Sequence, residues 1–310
     1  MNDRTEEQEH RVSDALALGG TVVIGAMLAA QARINGDLGK HTGAVVAALI
    51  SFGVGTVILI GAVATSAHAR SGWRRLSRAR GRTWWYLGGV AGAAVVGSSA
   101  GAVPEVGVSL VTVLLVAGAT IGGLCVDAVG LGPGGRVHAT LLRTFGTALA
   151  IIAVCIGALG QHASFRPALL ALVGIAGVAS AGQQAANGQL RQAAADARVA
   201  ALISFAVGVV SLFALTALLS VIGHLPQVRF PTQPALYVGG LLGVVYIVVA
   251  AALVHRLGVL RLTLGTVSGQ VIGALLIDAI APTPGLKLTA ATVTGAVLTL
   301  VAVAITVRSR

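Results

Sequence analysis

The sequence predicts an all-α integral membrane protein of about ten transmembrane helices, built as two inverted five-helix repeats. Composition carries the first part. Hydrophobic residues make up 56% of the chain, charged residues 10%, and the mean hydropathy is +0.90, whereas soluble domains carry about 25% charged residues. An internal duplication carries the second part. Gln31, Asn35-Gly36, Leu38, then Ala47-Ala48-Leu49-Ile50-Ser51-Phe52 and Gly55 recur as Gln183, Asn187-Gly188, Leu190, then Ala200-Ala201-Leu202-Ile203-Ser204-Phe205 and Gly208. The placement of basic residues supplies the third observation, because short cytoplasmic loops collect Lys and Arg.

Residues 1–14 read as a retained cytoplasmic tail. They are rich in Asp and Glu, and no small-residue cleavage site follows a short apolar core. The first repeat, 15–160, then holds five apolar stretches, each long enough as a helix to cross a hydrocarbon layer of about 30 Å. The first, 15–34, reaches Asn35-Gly36, a pair suited to a helix C-cap. The second, 43–66, leads into a loop with six arginines. The third, 84–104, opens with Trp84, Trp85 and Tyr86, as an interfacial aromatic belt would. The fourth, 107–130, contains Gly118-x-x-x-Gly122 and Asp127, and the fifth is 138–160.

The second repeat, 161–310, runs through the same series. Stretch 167–187 ends at Asn187-Gly188, and 198–222 follows. Stretch 236–254 carries Gly239-Gly240-x-x-Gly243, which echoes Gly88-Gly89-x-x-Gly92. Stretch 258–280 carries Gly269-x-x-x-Gly273 and Asp278, and 288–307 closes the chain. Small residues at these spacings let helix backbones approach closely inside a bilayer.

Five crossings per repeat is an odd number, so the second copy must enter the membrane from the opposite side. Charge placement agrees. With the N-terminus inside, Arg4, Arg11, Arg70, Arg74, Arg75, Arg78, Arg80, Arg82, Arg136, Arg143, Arg191, Arg198, Arg256, Arg261, Arg308 and Arg310 face the cytoplasm, and only Arg33, Lys40, Arg166, Arg229 and Lys287 face outward. Both termini are therefore expected in the cytoplasm, in an inner or plasma membrane. The net charge of +11 reads as this topology signal meeting anionic membrane lipid, not as a nucleic-acid footprint.

Cys125, Cys155 and seven scattered histidines predict neither a disulfide framework nor a metal site, and no cofactor is expected. No Gly-x4-Gly-Lys-Ser/Thr loop points to ATP hydrolysis. Polar groups inside the spans are the candidates for solute contact, because they are costly in lipid and face the bundle interior. They are Gln31, Asn35 and Ser51, their repeats Gln183, Asn187 and Ser204, and Gln270 near the middle of stretch 258–280. Packing or hydrogen bonding between helices explains each of them as readily. Asp127 and Asp278 sit at helix C-terminal ends, where the dipole disfavours a carboxylate. With Glu105 they are the candidates for coupling to a proton or another ion, and pairing with a nearby arginine is the alternative.

The duplicated Gln-x3-Asn-Gly-x-Leu segment with its Ala-Ala-Leu-Ile-Ser-Phe continuation resembles the signature of YdcZ-like proteins in the drug/metabolite transporter superfamily. So does the later run Gly239-Gly240-x-x-Gly243, Gly258, Gly269-Gln270, Ile277-Asp278. The resemblance covers nearly the whole chain, as two family units fused, and implies a secondary transporter of small organic solutes. The first copy departs from the pattern where Gly118-Ala119 stands for Gly269-Gln270 and Pro104-Glu105 for His255-Arg256, so the two halves are not chemically equivalent. Small multidrug exporters of the superfamily carry an acidic residue mid-way along their first helix. Here the only nearby acid, Asp14, stands at its start.

The expected function is therefore export of a small-molecule substrate by alternating access, by a monomer or a homodimer. A structural or receptor protein would show no saturable solute uptake. A membrane enzyme would turn over in detergent without a gradient, but no nucleophile with its base stands at one depth.

Overall fold

Long apolar segments without water can satisfy their backbone only as helices, and the computed structural model shows this outcome throughout. It describes residues 2–79, 81–136, 140–159, 166–283 and 286–308, with side chains described over 15–79, 81–136, 140–157, 166–250, 253, 262–283 and 286–305. The arginines at 4, 11, 80, 256, 261, 308 and 310, His255 and the repeat junction at 160–165 lie outside those side chains. The helices are α1 (Asn2–Thr42), α2 (Ala44–Thr65), α3 (Ala67–Arg78), α4 (Gly88–Val129), α5 (Leu141–Leu159), α6 (Pro167–Ala194), α7 (Ala197–Val221), α8 (Gly239–Ile280) and α9 (Ala290–Arg308). No strand occurs among the described residues.

Helices α4 and α8 are each 42 residues long, roughly 60 Å if straight, twice a hydrocarbon core. Each instead supplies two crossings. Along α4, Gly88 lies against Asn187 and Gly92 against Gln183, so its first arm runs antiparallel to α6. Gly118 lies against Gly174 and Gly177, and Gly122 against Val178 and Ala181, so its second arm runs parallel to α6. The reversal falls at Gly107, whose φ of 83° and ψ of 164° leave the helical region three residues after Pro104. Only glycine adopts that φ without strain, and proline removes a helix N–H just before it. Helix α8 behaves alike against α1. Gly239 meets Asn35, Gly243 meets Gln31 and Gly20 meets Leu253, an antiparallel series, while Gly265 meets Thr21, Gly269 meets Val22 and Gly273 meets Ala26, a parallel one. The four stretches predicted separately at 84–104, 107–130, 236–254 and 258–280 are thus the arms of two helical hairpins.

Helix α2 crosses α7 with Phe52 against Gly208 and Gly55 against Phe205, and the two rings meet with centroids 4.9 Å apart. That pairing is antiparallel. The turns after α1 and α6 are tight, so α6 runs opposite to α1. The contacts are reciprocal throughout: each half inserts its first helix against the hairpin of the other.

The Asn-Gly pairs do not end their helices. Helix α1 continues to Thr42 and α6 to Ala194, where Ala195 takes the left-handed conformation (φ 52°). The reason is packing. Asn35 is 2% exposed against Gly239, and Gly36 gives room to Val103 and Pro104. The arginine-rich loop also folds locally. Helix α3 buries Ala69, Gly72 and Leu76 at helical spacing and exposes its arginines and Trp73.

Candidate functional site

The candidate solute residues gather into two equivalent sets, each wrapped around a glycine pair of the opposite half. In one, Asn35 and Ser51 converge on Gly239, with Gln31 a turn away against Gly243. In the other, Asn187 faces Gly88, Gln183 faces Gly92, and the Gln183 amide donates to Ser204 Oγ at 3.5 Å. The Oδ1 atoms of Asn35 and Asn187 are buried with no conventional partner. Each faces a glycine, whose exposed Cα–H groups are weak donors. Gln270 stays apart from both sets, half-buried on the α8 arm beside Gly25 of α1.

The acids divide more sharply. Asp127 pairs with Arg143, whose side chain is 3% exposed. Glu105 lies 3.6 Å from Arg166 at the surface. Asp278 pairs with no arginine among the described residues. It reaches from α8 into the break of α4, where Oδ1 accepts from Val108 N–H (3.1 Å) and Oδ2 from Ser109 N–H (2.7 Å). The second arm of α4 starts there with unsatisfied N–H groups and the positive end of its dipole, so a carboxylate from the other half caps it. A crevice with room for about one water, lined by Gly107, Thr283 and Lys287, opens beside it.

The two ends of the bundle differ. At the end formed by the α1–α2 turn, the 222–238 segment lies across the helices. Pro226 covers Gly43, Arg229 N–H donates to His41 O at 3.0 Å, and Leu236 and Tyr237 pack on Leu38, Ala47 and Ala100. Below it Arg33 and Lys40 both bind Asp37 (2.8 and 2.7 Å), and Arg33 also donates to Ala281 O at the C-terminus of α8 (2.8 Å). At the opposite end, Gln189 Nε2 donates to Leu131 O at 3.0 Å.

A cavity of about 740 Å³ opens at that opposite end, well within the size range of small-molecule sites. Its polar wall is His68, Arg191, Gln192, Asp196 and Arg198, and its apolar wall includes Ile247 and Val248 of α8. Asn187 and Gln183 lie one turn deeper along α6. Helix α3 latches over this end: Gly72 packs on Ala194, Arg75 Nε donates to Ala194 O (3.1 Å), and His68 Nε2 sits 3.1 Å from Ala195 O. Asp196 caps α7 and grips Arg198 with both oxygens. Burial pushes its carboxyl up, but the hydrogen bonds from the Arg198 side chain and backbone outweigh this and hold it below the usual carboxylate range.

Residues 16–156 and again 168–305 match the family described as "Putative inner membrane exporter, YdcZ". The chain belongs to the YdcZ family. It is the two-unit form, a multi-pass membrane protein whose matched segments coincide with the two halves seen in the fold. No curated protein matches it.

For this YdcZ chain, sequence reasoning found the two polar sets and the three acids but missed the cavity wall and the Asp278 cap. The wall was legible in part. Ala69, Gly72 and Leu76 among arginines mark an amphipathic helix, which would have placed His68 over the α6–α7 turn. The cap was not, since it depends on which glycine breaks α4.

Proposed function

We propose that this protein is a secondary transporter that exports a small organic solute by alternating access between two inverted five-helix halves. The observation that carries this reading is the combination of reciprocal packing with unequal ends. Each half places its first helix against the other half's hairpin, one end is closed by the 222–238 strap and the Asp37 ion pairs, and the other holds the 740 Å³ cavity. Two halves meeting around a mid-depth site is the architecture of many carriers. Placement of arginines favours a cytoplasmic side for the cavity, α3 and both termini, and in this reading the form described here is open inward.

Asp278 is the coupling residue in this reading. Its carboxylate ties α8 of one half to the broken helix of the other, and protonation would turn one oxygen into an O–H donor and weaken its hold on the two N–H groups. The charged groups around it are Lys287 at the crevice mouth, Arg33 and Asp37 of α1, and Glu105, which is held near Arg166. None of them bonds to the Asp278 carboxylate among the described residues.

The test is solute flux in proteoliposomes under an imposed pH gradient. Wild type is expected to respond to the gradient, and Asp278→Asn to lose that response by about tenfold or more while retaining gradient-independent exchange. A variant whose flux follows the gradient as wild type does would remove Asp278 from coupling.

A further inference from the structure

The arginines of helix α3 outnumber the acids that could balance them. Every described carboxylate is already engaged: Asp37 holds Arg33 and Lys40, Glu105 faces Arg166, Asp127 pairs with Arg143, Asp196 grips Arg198, and Asp278 caps the second arm of α4. The other acids, Asp3, Glu6, Glu7, Glu9 and Asp14, all belong to the tail. With 3.6 residues per turn, Arg70, Arg74 and Arg78 form one row along α3, on the side away from buried Ala69, Gly72 and Leu76. Arg70 turns back to the Ala64 carbonyl at the end of α2, and Arg75, on the other flank, donates to Ala194 O and Ser71 Oγ. Arg74 and Arg78 are exposed, and their guanidiniums meet no hydrogen-bond or ion-pair partner among the described residues. Trp73, 48% exposed, stands between that row and the buried face. Only Ser66 separates α2 from α3, and its Oγ accepts from Ala69 N–H at 3.3 Å, so α3 starts at the end of a membrane span. Exposed Tyr86 and half-buried Trp84 mark the start of the next span. Arginines beside exposed aromatics at the end of a span are the features of an interfacial helix.

From this we infer that α3 is a docking helix for anionic phospholipid headgroups, which brace the rim of the cavity. Arg74 and Arg78 bind the headgroup phosphates through charge-assisted hydrogen bonds, and the Trp73 indole lies at headgroup level. The acidic tail is the competing source of negative charge. Residues 2–11 of that tail contain no hydrophobic residue to meet an exposed indole, whereas a cytoplasmic leaflet offers anionic charge and apolar surface together. The bracing follows from what the inner side of α3 touches. Gly72 packs on Ala194 O, and His68, which lines the cavity, sits 3.1 Å from Ala195 O. Headgroups on the outer row therefore hold in place a helix that is fastened to the α6–α7 turn. None of this requires that a solute be moved.

The experiment places the full chain in phosphatidylcholine nanodiscs doped, at one mole fraction, with either brominated phosphatidylglycerol or brominated phosphatidylcholine. On a Trp84→Phe/Trp85→Phe background Trp73 is the only tryptophan, and its quenching reads which lipid lies beside α3. Quenching is expected to be about twofold or more stronger with phosphatidylglycerol, since each arginine near the surface adds to the attraction. The preference is expected to vanish in Arg74→Gln/Arg78→Gln and to persist, reduced, in Arg74→Lys/Arg78→Lys. The chain with its native tryptophans supplies a second readout, because a ligand of the folded state raises apparent stability. Phosphatidylglycerol is expected to raise the melting temperature of wild type more than that of Arg74→Gln/Arg78→Gln. In phosphatidylcholine alone the two are expected to melt together, because exposed side chains without partners contribute little to stability. Equal quenching by the two lipids, a preference unchanged in Arg74→Gln/Arg78→Gln, or an equal rise in melting temperature for both chains overturns the inference. So does a preference that emerges only after Asp3, Glu6, Glu7 and Glu9 are replaced by their amides, which would make the tail the occupant of the row.

Discussion

Arg143 shows how differently two equivalent acids are used. It is buried, pairs with Asp127, and leaves its Nε and Nη1 atoms without hydrogen-bond partners among the described residues. Breaking a buried pair on one side costs far more than removing both members. Arg143→Met is therefore expected to lower stability by about 3 kcal/mol, and the double variant Arg143→Met/Asp127→Leu to recover most of it. Thermal unfolding in detergent checks this, and a double variant as unstable as the single would show that the two groups act separately. Asp278, by contrast, contributes a cap, an interaction whose removal costs roughly 1 kcal/mol at ordinary helix ends, so its variants are expected to remain folded enough to assay. The sequence showed both acids at matching positions. It could not show that one meets a guanidinium and the other a helix terminus, because the partner of each lies on another helix.

At the scale of elements, the glycines decide what packs where. A Cβ on Gly240 would overlap the Ser51 carbonyl oxygen, and one on Gly89 would overlap that of Ser204, the same contact made twice in opposite directions. These pairs were legible as repeated motifs, and the ten crossings as apolar stretches. The fate of Asn35-Gly36 and Asn187-Gly188 was not. Local preference favours a cap there, but burial of Asn35 against Gly239 carries the helix through, so tertiary contact overrides the end signal. The direction of α2 against α7 gives a physical test. Phe52 opposes Gly208 and Gly55 opposes Phe205, and extending that antiparallel series sets Leu59 opposite Ala201 and Ala48 opposite Leu212. All four belong to one buried cluster. After replacement of Cys125 and Cys155, a cysteine pair at 59 and 201 is expected to cross-link rapidly, whereas a pair at 48 and 201, about 16 Å apart along the helix axes, is not. The reverse pattern would mean parallel helices and halves that share one orientation.

For the molecule as a whole, the proposed transport cycle requires the strapped end and the open end to exchange roles. The two ends are built from equivalent residues, yet one carries the Arg33, Asp37 and Lys40 ion pairs beneath the 222–238 strap, and the other the Gln189 amide, the α3 contacts and the 740 Å³ cavity. Sequence divergence between the halves made such asymmetry expected, although which end holds the cavity became visible only in the packing. The most direct measurement is the reactivity of a single cysteine at Val248, on the cavity wall, toward an impermeant thiol reagent. It is applied separately to the two sides of sealed vesicles, on a background lacking Cys125 and Cys155. Without a gradient, reaction is expected from the cytoplasmic side alone. A pH gradient with a transported solute is expected to slow that reaction and to open reactivity from the other side, and both changes should disappear in Asp278→Asn. Reactivity confined to the cytoplasmic side under every gradient and solute that supports flux would contradict alternating access.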